Sequence, residues 1–357
     1  MVHTGDVCIS LNHTQTRAFL NASGTRPDQN KANQWLNDSF IDQGIRFKLI
    51  IVDKTGFYSV RLSARLNYGK MVDASNPAAL ASLLEYDRIE TKFDAVIKQV
   101  LGELPLWRWR ATRLDYTIDV TTPHVKQYIS MMHKCLRPRG FRDWYKDNHH
   151  RGQKQGSLYL VGKAKHKQNR TITINFYDKS YEIQANHPDR LPDAPENILR
   201  LEIQVHRQGL RDIANEYKMK RRNLRAFLDW TIELNLFEQV LKSTCLYGPF
   251  LRKSQAKQLI TQSSNQKRVK DTMLKIIDAI AKQHASISKA KDYLVHDGVM
   301  STYQFEHGLE RIQMLCNPIV ISDKAQIDGL SYADGLPGID QLFWSSYQTS
   351  MYLDVAS

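Results

Sequence analysis

The chain predicts an α+β fold: a mixed or antiparallel sheet with helices on one face, built from two strand-strand-helix-strand-like halves and followed by an α-helical C-terminal domain. Three observations predict it. Runs that alternate apolar and polar residues, the period of a strand, recur between Ile45 and His206. The order of two such runs, a helical pattern and a further run occurs twice in that stretch. From Gln208 onward the period becomes helical. These changes divide the chain into an irregular lead-in (1–40), an α+β domain (41–207) and a helical domain (208–357).

The lead-in is polar and weakly patterned, and "NASGTRPDQN" within it reads as loop. "IRFKLIIV" and "FYSVRLSARL" flank the turn "DKTG" and predict a β-hairpin from Ile45 to Leu66. Pro77 opens a predicted helix to about Leu101, with Leu80, Leu84, Phe93, Val96, Ile97 and Val100 near helical spacing. "TRLDYTIDV" alternates strictly and predicts a strand, and Pro123 starts a second helix to about Cys135. After a basic, turn-rich stretch, "GSLYLVG" and "RTITINFYDK" form a second strand pair, and "LRLEIQVH" follows the proline-rich loop "NHPDRLPDAPEN". In the last domain "NLRAFLDWTIELNLFEQVL" reads as one helix. "KRVKDTMLKIIDAIAKQ" reads as another, with Val269, Met273, Ile276, Ile277 and Ile280 on one side. The last thirty or so residues, from "QIDGLSYADGLPGIDQ", are open between loop and short helices.

Composition narrows the class. With 42% hydrophobic residues the chain can pack a core unaided. Cys8, Cys135, Cys245 and Cys316 are widely spaced, which argues against a disulfide framework or a zinc finger and fits a reducing cytoplasm. No apolar stretch is long enough to span a bilayer, and the start carries no export signal, so a soluble, unexported protein is expected. The net charge of +13 points to a polyanionic partner, because phosphates repay clustered Lys and Arg by releasing counterions. Eleven Lys and Arg stand against three acids between Arg137 and Lys179, among them Lys163, Lys165, Lys167 and Arg170. A second basic run, "YKMKRRNLR", supplies Lys220, Arg221 and Arg222 as further candidate DNA contacts in a basic helix.

Alternation assigns faces. With Leu114, Tyr116, Ile118 and Val120 turned to the core, Asp115 and Asp119 point away from it. With Leu201, Ile203 and Val205 inside, Arg200, Glu202, Gln204 and His206 point away. With Ile172, Ile174 and Phe176 inside, Thr173, Asn175 and Tyr177 do so too. The outer face is therefore expected to be exposed and to gather Asp115, Asp119 and Glu202, carboxylates suited to Mg2+ or Mn2+. Tyr177 is the candidate nucleophile. A phenol with a pKa of about 10 needs assistance, and Lys179, two residues on, is the candidate to lower that pKa or to donate to a phosphate. Each residue also has a plainer reading: a strand tyrosine as a packing residue, the two aspartates as ion-pair partners of Arg113, Glu202 as a surface pair with Arg200. Tyr181 is a possible second nucleophile, and Tyr159 ranks third. His149 and His150 are adjacent and would face opposite ways in a strand, so they are not read as metal ligands.

At these residues the sequence resembles the rolling-circle replication initiators, in particular the filamentous-phage replication endonucleases, with a looser likeness to the plasmid Rep-trans initiators. The motifs are "TRLDYTIDV", "ITINFYDKSYE" and "ILRLEIQVH", in that order, with "IRFKLIIVDKTGFYSVRLSA" and "NPAAL" before them, over roughly residues 43 to 240. The resemblance implies a site-specific, metal-dependent nickase of a phage or plasmid. Its tyrosine attacks one DNA strand, forms a 5′-phosphotyrosine, leaves a 3′-OH primer and later rejoins ends. Tyr177 and Lys179 match the Y-x-K motif, and Asp115 and Glu202 match the acidic positions, Asp119 less securely. The implied partners are a double-stranded origin, single-stranded DNA, host helicase and polymerase, with self-association on DNA, in the cytoplasm of a bacterial host. The competing class is a non-catalytic, sequence-specific DNA-binding protein, which would function without Tyr177. A tyrosine recombinase is set aside, because "HGLER" has one residue too many for its His-x-x-Arg element.

Overall fold

The strict alternation of "TRLDYTIDV" belongs to the middle strand of a nine-stranded sheet in a computed structural model of the chain. The structure describes residues 1–23, 33–35, 40–54, 57–76, 79–135, 141–143, 157–162, 171–186, 196–244, 246–324, 326–327, 330–331 and 336–346. The sheet strands are β1 Val2–Leu11, β2 Asn33–Trp35, β3 Ile45–Lys54, β4 Phe57–Asn67, β5 Arg110–Thr121, β6 Phe141–Asp143, β7 Ser157–Gly162, β8 Ile172–Asp178 and β9 Ile198–His206. They lie in the order β2-β3-β4-β1-β5-β9-β8-β7-β6. Every neighbouring pair is antiparallel, which resolves the mixed-or-antiparallel alternative.

The helices of this part are α1 His13–Ser23, α2 Tyr68–Val72, α3 Tyr86–Leu101, α4 Val125–Lys134 and α5 Lys179–Asn186. The strand-strand-helix-strand order is present twice, as β3-β4-α3-β5 and as β7-β8-α5-β9. The apolar sides of the strands, including Leu114, Tyr116, Ile118, Leu201, Ile203, Ile174 and Phe176, join the apolar stripes of α3 and α4 in one core. Within it Phe93 meets Trp109 edge-on at 5.1 Å.

The lead-in is not irregular. β1 lies between β4 and β5 in the middle of the sheet, and α1 follows it. Its period is hidden because the pairing with β5 shifts register twice, between Val2 and Gly5 and between Asp6 and Val7. Gly5 is required there: a Cβ would stand 2.3 Å from the Tyr68 hydroxyl oxygen. α3 also starts later than Pro77 suggested. Its first turn is the 3-10 segment Leu83–Glu85, fixed by a capping box between Ser82 and Glu85. Pro77 lies outside the described residues.

The C-terminal part contains α6 Arg207–Glu216, α7 Leu224–Phe227, α8 Trp230–Ser243, α9 Lys253–Gln262, α10 Lys267–Lys282, α11 Ile287–Lys291 and α12 Thr302–Leu315. The single helix expected over 223–241 is two, α7 and α8. Asp229 is extended and its carboxylate accepts from the Thr231 N–H at 2.7 Å, which starts a new helix. "YKMKRRNLR" is not a basic helix: residues 217–223 are the loop between α6 and α7, and Leu224 and Arg225 open α7. Short strands β10 Leu251–Arg252 and β11 Val320–Ile321 pair in parallel. β12 Gln326–Ile327 and β13 Leu330–Ser331 form a small hairpin, and residues 339–346 are helical. This part is joined to the sheet: the Tyr116 hydroxyl donates to the Phe227 carbonyl at 2.7 Å and the Tyr128 hydroxyl to the Pro337 carbonyl at 2.9 Å. Among the described residues, no helix is long and apolar enough to cross a membrane.

Candidate active site

Antiparallel register places side chains opposite one another on the same face, and across β5, β9 and β8 it builds three polar rows. The first is Asp115, Gln204 and Thr173. The second is Thr117, Glu202 and Asn175. The third is Asp119, Arg200 and Tyr177. Alternation therefore assigned the face correctly.

The expected exposure is corrected. Asp115, Thr117, Thr173, Asn175, Arg200, Glu202 and Gln204 are all buried, and Tyr177 is half-buried. A buried polar layer is stable only if its members satisfy one another. They do. The Arg113 guanidinium donates twice to Asp115, at 2.8 and 2.6 Å, and the Thr4 hydroxyl donates to the same carboxylate. Glu202 accepts from Gln204 at 2.5 Å and Asn175 at 3.3 Å, and His3 Nδ1 lies 3.2 Å from its other oxygen. Thr173 meets His206 Nε2 at 3.0 Å. Arg200 does not pair with Glu202. It donates to Asp119 at 2.6 and 2.7 Å.

The two central carboxylates titrate as a pair. Burial, and then the charge of Glu202, push Asp115 up to about 7, against the pull of Arg113 and Thr4. Burial also pushes Glu202 up, but the hydrogen bond and charge of His3, the Gln204 amide and Arg113 outweigh it and hold Glu202 well below the usual carboxylate range. Glu202 keeps the negative charge and Asp115 takes up the proton more readily. Among the described residues, no group of three or more His, Cys, Asp or Glu is gathered to hold a metal ion. Asp115 and Glu202 lie in adjacent rows and His3 sits on Glu202, while Asp119 is turned to Arg200.

Tyr177 is the last residue but one of β8, and its neighbour across the ladder is Arg200. Burial raises the phenol well above its ordinary range, as does the charge of Glu202; the Arg200 guanidinium opposes this by its charge and a hydrogen bond. Lys179 does not point along the strand, because β8 stops at Asp178 and α5 begins at Lys179. Its buried amine pairs with Glu182 at 2.5 Å. Burial, then Arg200, lowers its pKa. The cation set beside Tyr177 is thus Arg200, while Lys179 is turned to Glu182. Tyr181 is exposed in the first turn of α5, where its N–H donates to Asp178 at 2.9 Å.

Arg200, His3 and Thr4 were missed as site residues. Arg200 could have been found from the strand register, since it stands opposite both Asp119 and Tyr177. His3 and Thr4 were hidden in the supposed lead-in. Lys220, Arg221 and Arg222 line an open groove of about 410 Å³ with Trp107, Arg108 and Arg110. Lys163, Lys165, Lys167, Arg170, His149 and His150 lie outside the described residues, and Tyr159 is described only by its pairing with Asn175.

No family model matches the chain, and no curated protein matches it. Among solved structures, DynU16, a protein in the dynemicin biosynthetic locus, aligns at 9% identity over 67% of this chain and 98% of its own, with a TM-score of 0.21. A likeness that slight carries no argument about fold or function.

Proposed function

We propose that the protein nicks and rejoins single strands of DNA through a covalent bond to Tyr177, as a rolling-circle replication initiator of a phage or plasmid. The observation that carries the reading is the shared face of three adjacent strands, on which Tyr177 and Arg200 stand beside the buried pair Asp115 and Glu202. In the reaction the Tyr177 oxygen attacks the phosphorus of one phosphodiester. An O–P bond forms to tyrosine, the P–O3′ bond breaks, the phenol proton passes to water and the 3′ oxygen leaves as a hydroxyl. Rejoining is the reverse attack by a 3′-OH. Arg200, hydrogen-bonded to the tyrosine, stabilises the phenolate. Thr173 and Asn175, on the tyrosine's own strand, hold the surrounding layer in register.

Asp115 and Glu202 fit Mg2+ or Mn2+, because two close carboxylates that hinder each other's ionisation gain from a shared cation, and such ions keep several waters while using one or two carboxylates. A bound cation would polarise a phosphoryl oxygen.

One observation favours the competing reading of a non-catalytic DNA-binding protein: the Tyr177 phenol is hard to ionise in its free state, as a structural tyrosine would be. The deciding experiment incubates the protein and its Tyr177→Phe variant with Mg2+ or Mn2+ and supercoiled circles bearing the replicon that encodes it, followed by a denaturing gel. Nicked circles and protein-linked DNA from the wild type alone support the nickase. Binding without cleavage by both proteins supports the alternative, and cleavage by Tyr177→Phe moves the nucleophile to another tyrosine.

A further inference from the structure

The polar face does not end at the candidate site. On β1 and β4 it continues through the pairs Cys8–Ser63 and Ser10–Arg61, and on β3 through Lys48, opposite Ser63. Arg110 belongs to the same face. Asp6 pairs with Arg113 and Val7 with Ala111, so Thr112 is an extra residue, a bulge that re-aims the start of β5. With the bulge counted, Arg110 opposite Cys8 shares a face with Arg113 opposite Asp6.

At this end of the sheet cations crowd together. Register sets Arg110 opposite Cys8 and Arg61 opposite Ser10, and Arg207 begins α6 directly after β9; burial raises the Cys8 thiol, while the charges of Arg110, Arg207 and Arg61 pull it down. The Arg222 pKa is lowered from its ordinary high value, by burial first and then by repulsion from Arg110, Arg211 and Arg207. Among the described residues, Arg61, Arg110, Arg207 and Arg222 form no ion pair with a carboxylate. A hydrogen bond from the Ala111 N–H to the Arg222 carbonyl, at 3.0 Å, ties the α6–α7 loop to β5. The open groove beside it displays Trp107, 43% exposed, with Arg108 and Arg221 5.1 and 5.6 Å from its ring. Like charges gathered without acids raise the free energy of the protein until an anion joins them. An exposed indole beside guanidinium groups adds a surface on which a base can stack, the combination used to hold single strands.

We propose that Arg61, Arg110, Arg207 and Arg222 hold the phosphates of a single DNA strand whose bases stack at Trp107, and that this strand leads to Tyr177. From Arg110 to Asp119, the β5 residue in the row of Tyr177, is about 30 Å of strand, so the bound strand has to run along the length of β5 to reach the tyrosine. The destination of the strand rests on the nickase reading; the binding site does not.

The test uses the full chain carrying Tyr177→Phe, without divalent cation, and a labelled 15-nucleotide single strand, the same sequence as a duplex, and phosphatidylserine vesicles. Affinity is measured by anisotropy, or by flotation for vesicles, at several salt concentrations. The expected result is preference for the single strand, with the slope of log affinity against log salt reduced by about 0.7 for Arg110→Gln and again for Arg222→Gln. Arg110→Lys should restore the slope, and Trp107→Ala should cost about tenfold on the single strand and little on duplex. Unchanged slopes in both Gln variants, equal or tighter binding of duplex, or vesicle binding without DNA binding would overturn the proposal. Arginine-dependent binding by a protein that never nicks defeats the nickase reading alone, whereas nicking with arginine-independent binding defeats this proposal alone.

Discussion

Arg200 and Asp119 face each other across the β5–β9 ladder, and the arginine's Nε and one Nη donate to the two carboxylate oxygens at 2.6 and 2.7 Å. The guanidinium is fully buried and reaches Tyr177 on its other side. Asp119→Ala would leave that charge uncompensated and is expected to cost about 3 kcal/mol, at the lower end of such losses because Asp119 is partly exposed. The double variant Asp119→Leu with Arg200→Met should recover much of it. Urea unfolding of the three proteins checks the order.

The same arginine decides how Tyr177 reacts. Arg200→Lys keeps the charge but loses the fork, and Arg200→Ala loses both. Nicking is expected to fall by about 10²- to 10³-fold in the alanine variant, the usual loss when a donor to developing charge is removed. Lys179→Met, which removes the partner of Glu182, should change nicking by less than about tenfold. Single-turnover cleavage of a labelled strand compares them, and a larger loss in Lys179→Met would return that lysine to the chemistry.

Asp115 gives a pH signature. Its folded pKa is raised, to about 7, so its contribution to stability is fully present below the unfolded value of about 4 and is lost as pH rises towards 7. A divalent cation binding the ionised pair would return stability in the upper part of that range. The rise in Tm on adding Mg2+, against NaCl at equal ionic strength, is therefore expected to be larger at pH 7.5 than at pH 5.5 and to vanish in Glu202→Gln. A rise equal at both pH values would remove the pair as the cation's ligands.

Gly5 and Tyr68 form a further testable contact. Gly5→Ala should destabilise, because its methyl would lie 2.3 Å from the Tyr68 hydroxyl oxygen. That hydroxyl is buried without a hydrogen-bond partner, so Tyr68→Phe should be close to neutral alone and should relieve part of the Gly5→Ala loss. Thermal unfolding of the two single variants and the double variant gives the coupling.

What the sequence disclosed followed from how local the signal was. β5 was legible because its inward set alternates without interruption from Leu114 to Val120, and the polar face followed from the same period. β1 was not, since its two register shifts interrupt the alternation and Gly5 adds no apolar mark. Arg200 was assigned to Glu202, its neighbour at i+2, whereas its partner Asp119 lies 81 residues upstream and only the sheet register joins them. The direction of Lys179 was not legible, because spacing along a strand holds only while the strand lasts, and β8 gives way to α5 at that residue. The depth of the polar layer was invisible for a related reason: exposure depends on what other segments contribute.

The position of β1 also bears on how the chain is made. It is synthesised before both of its partners, and its ladders wait for β4, which ends at Asn67, and for β5, which ends at Thr121. A nascent chain therefore carries an open-sided strand from the ribosome for roughly a hundred residues before both flanks close. Pairings so distant in sequence slow the collapse to the native sheet and lengthen the interval in which neighbouring chains can zip together. Slow synthesis or holding chaperones would thus affect the yield of this protein more than the stability of its finished core.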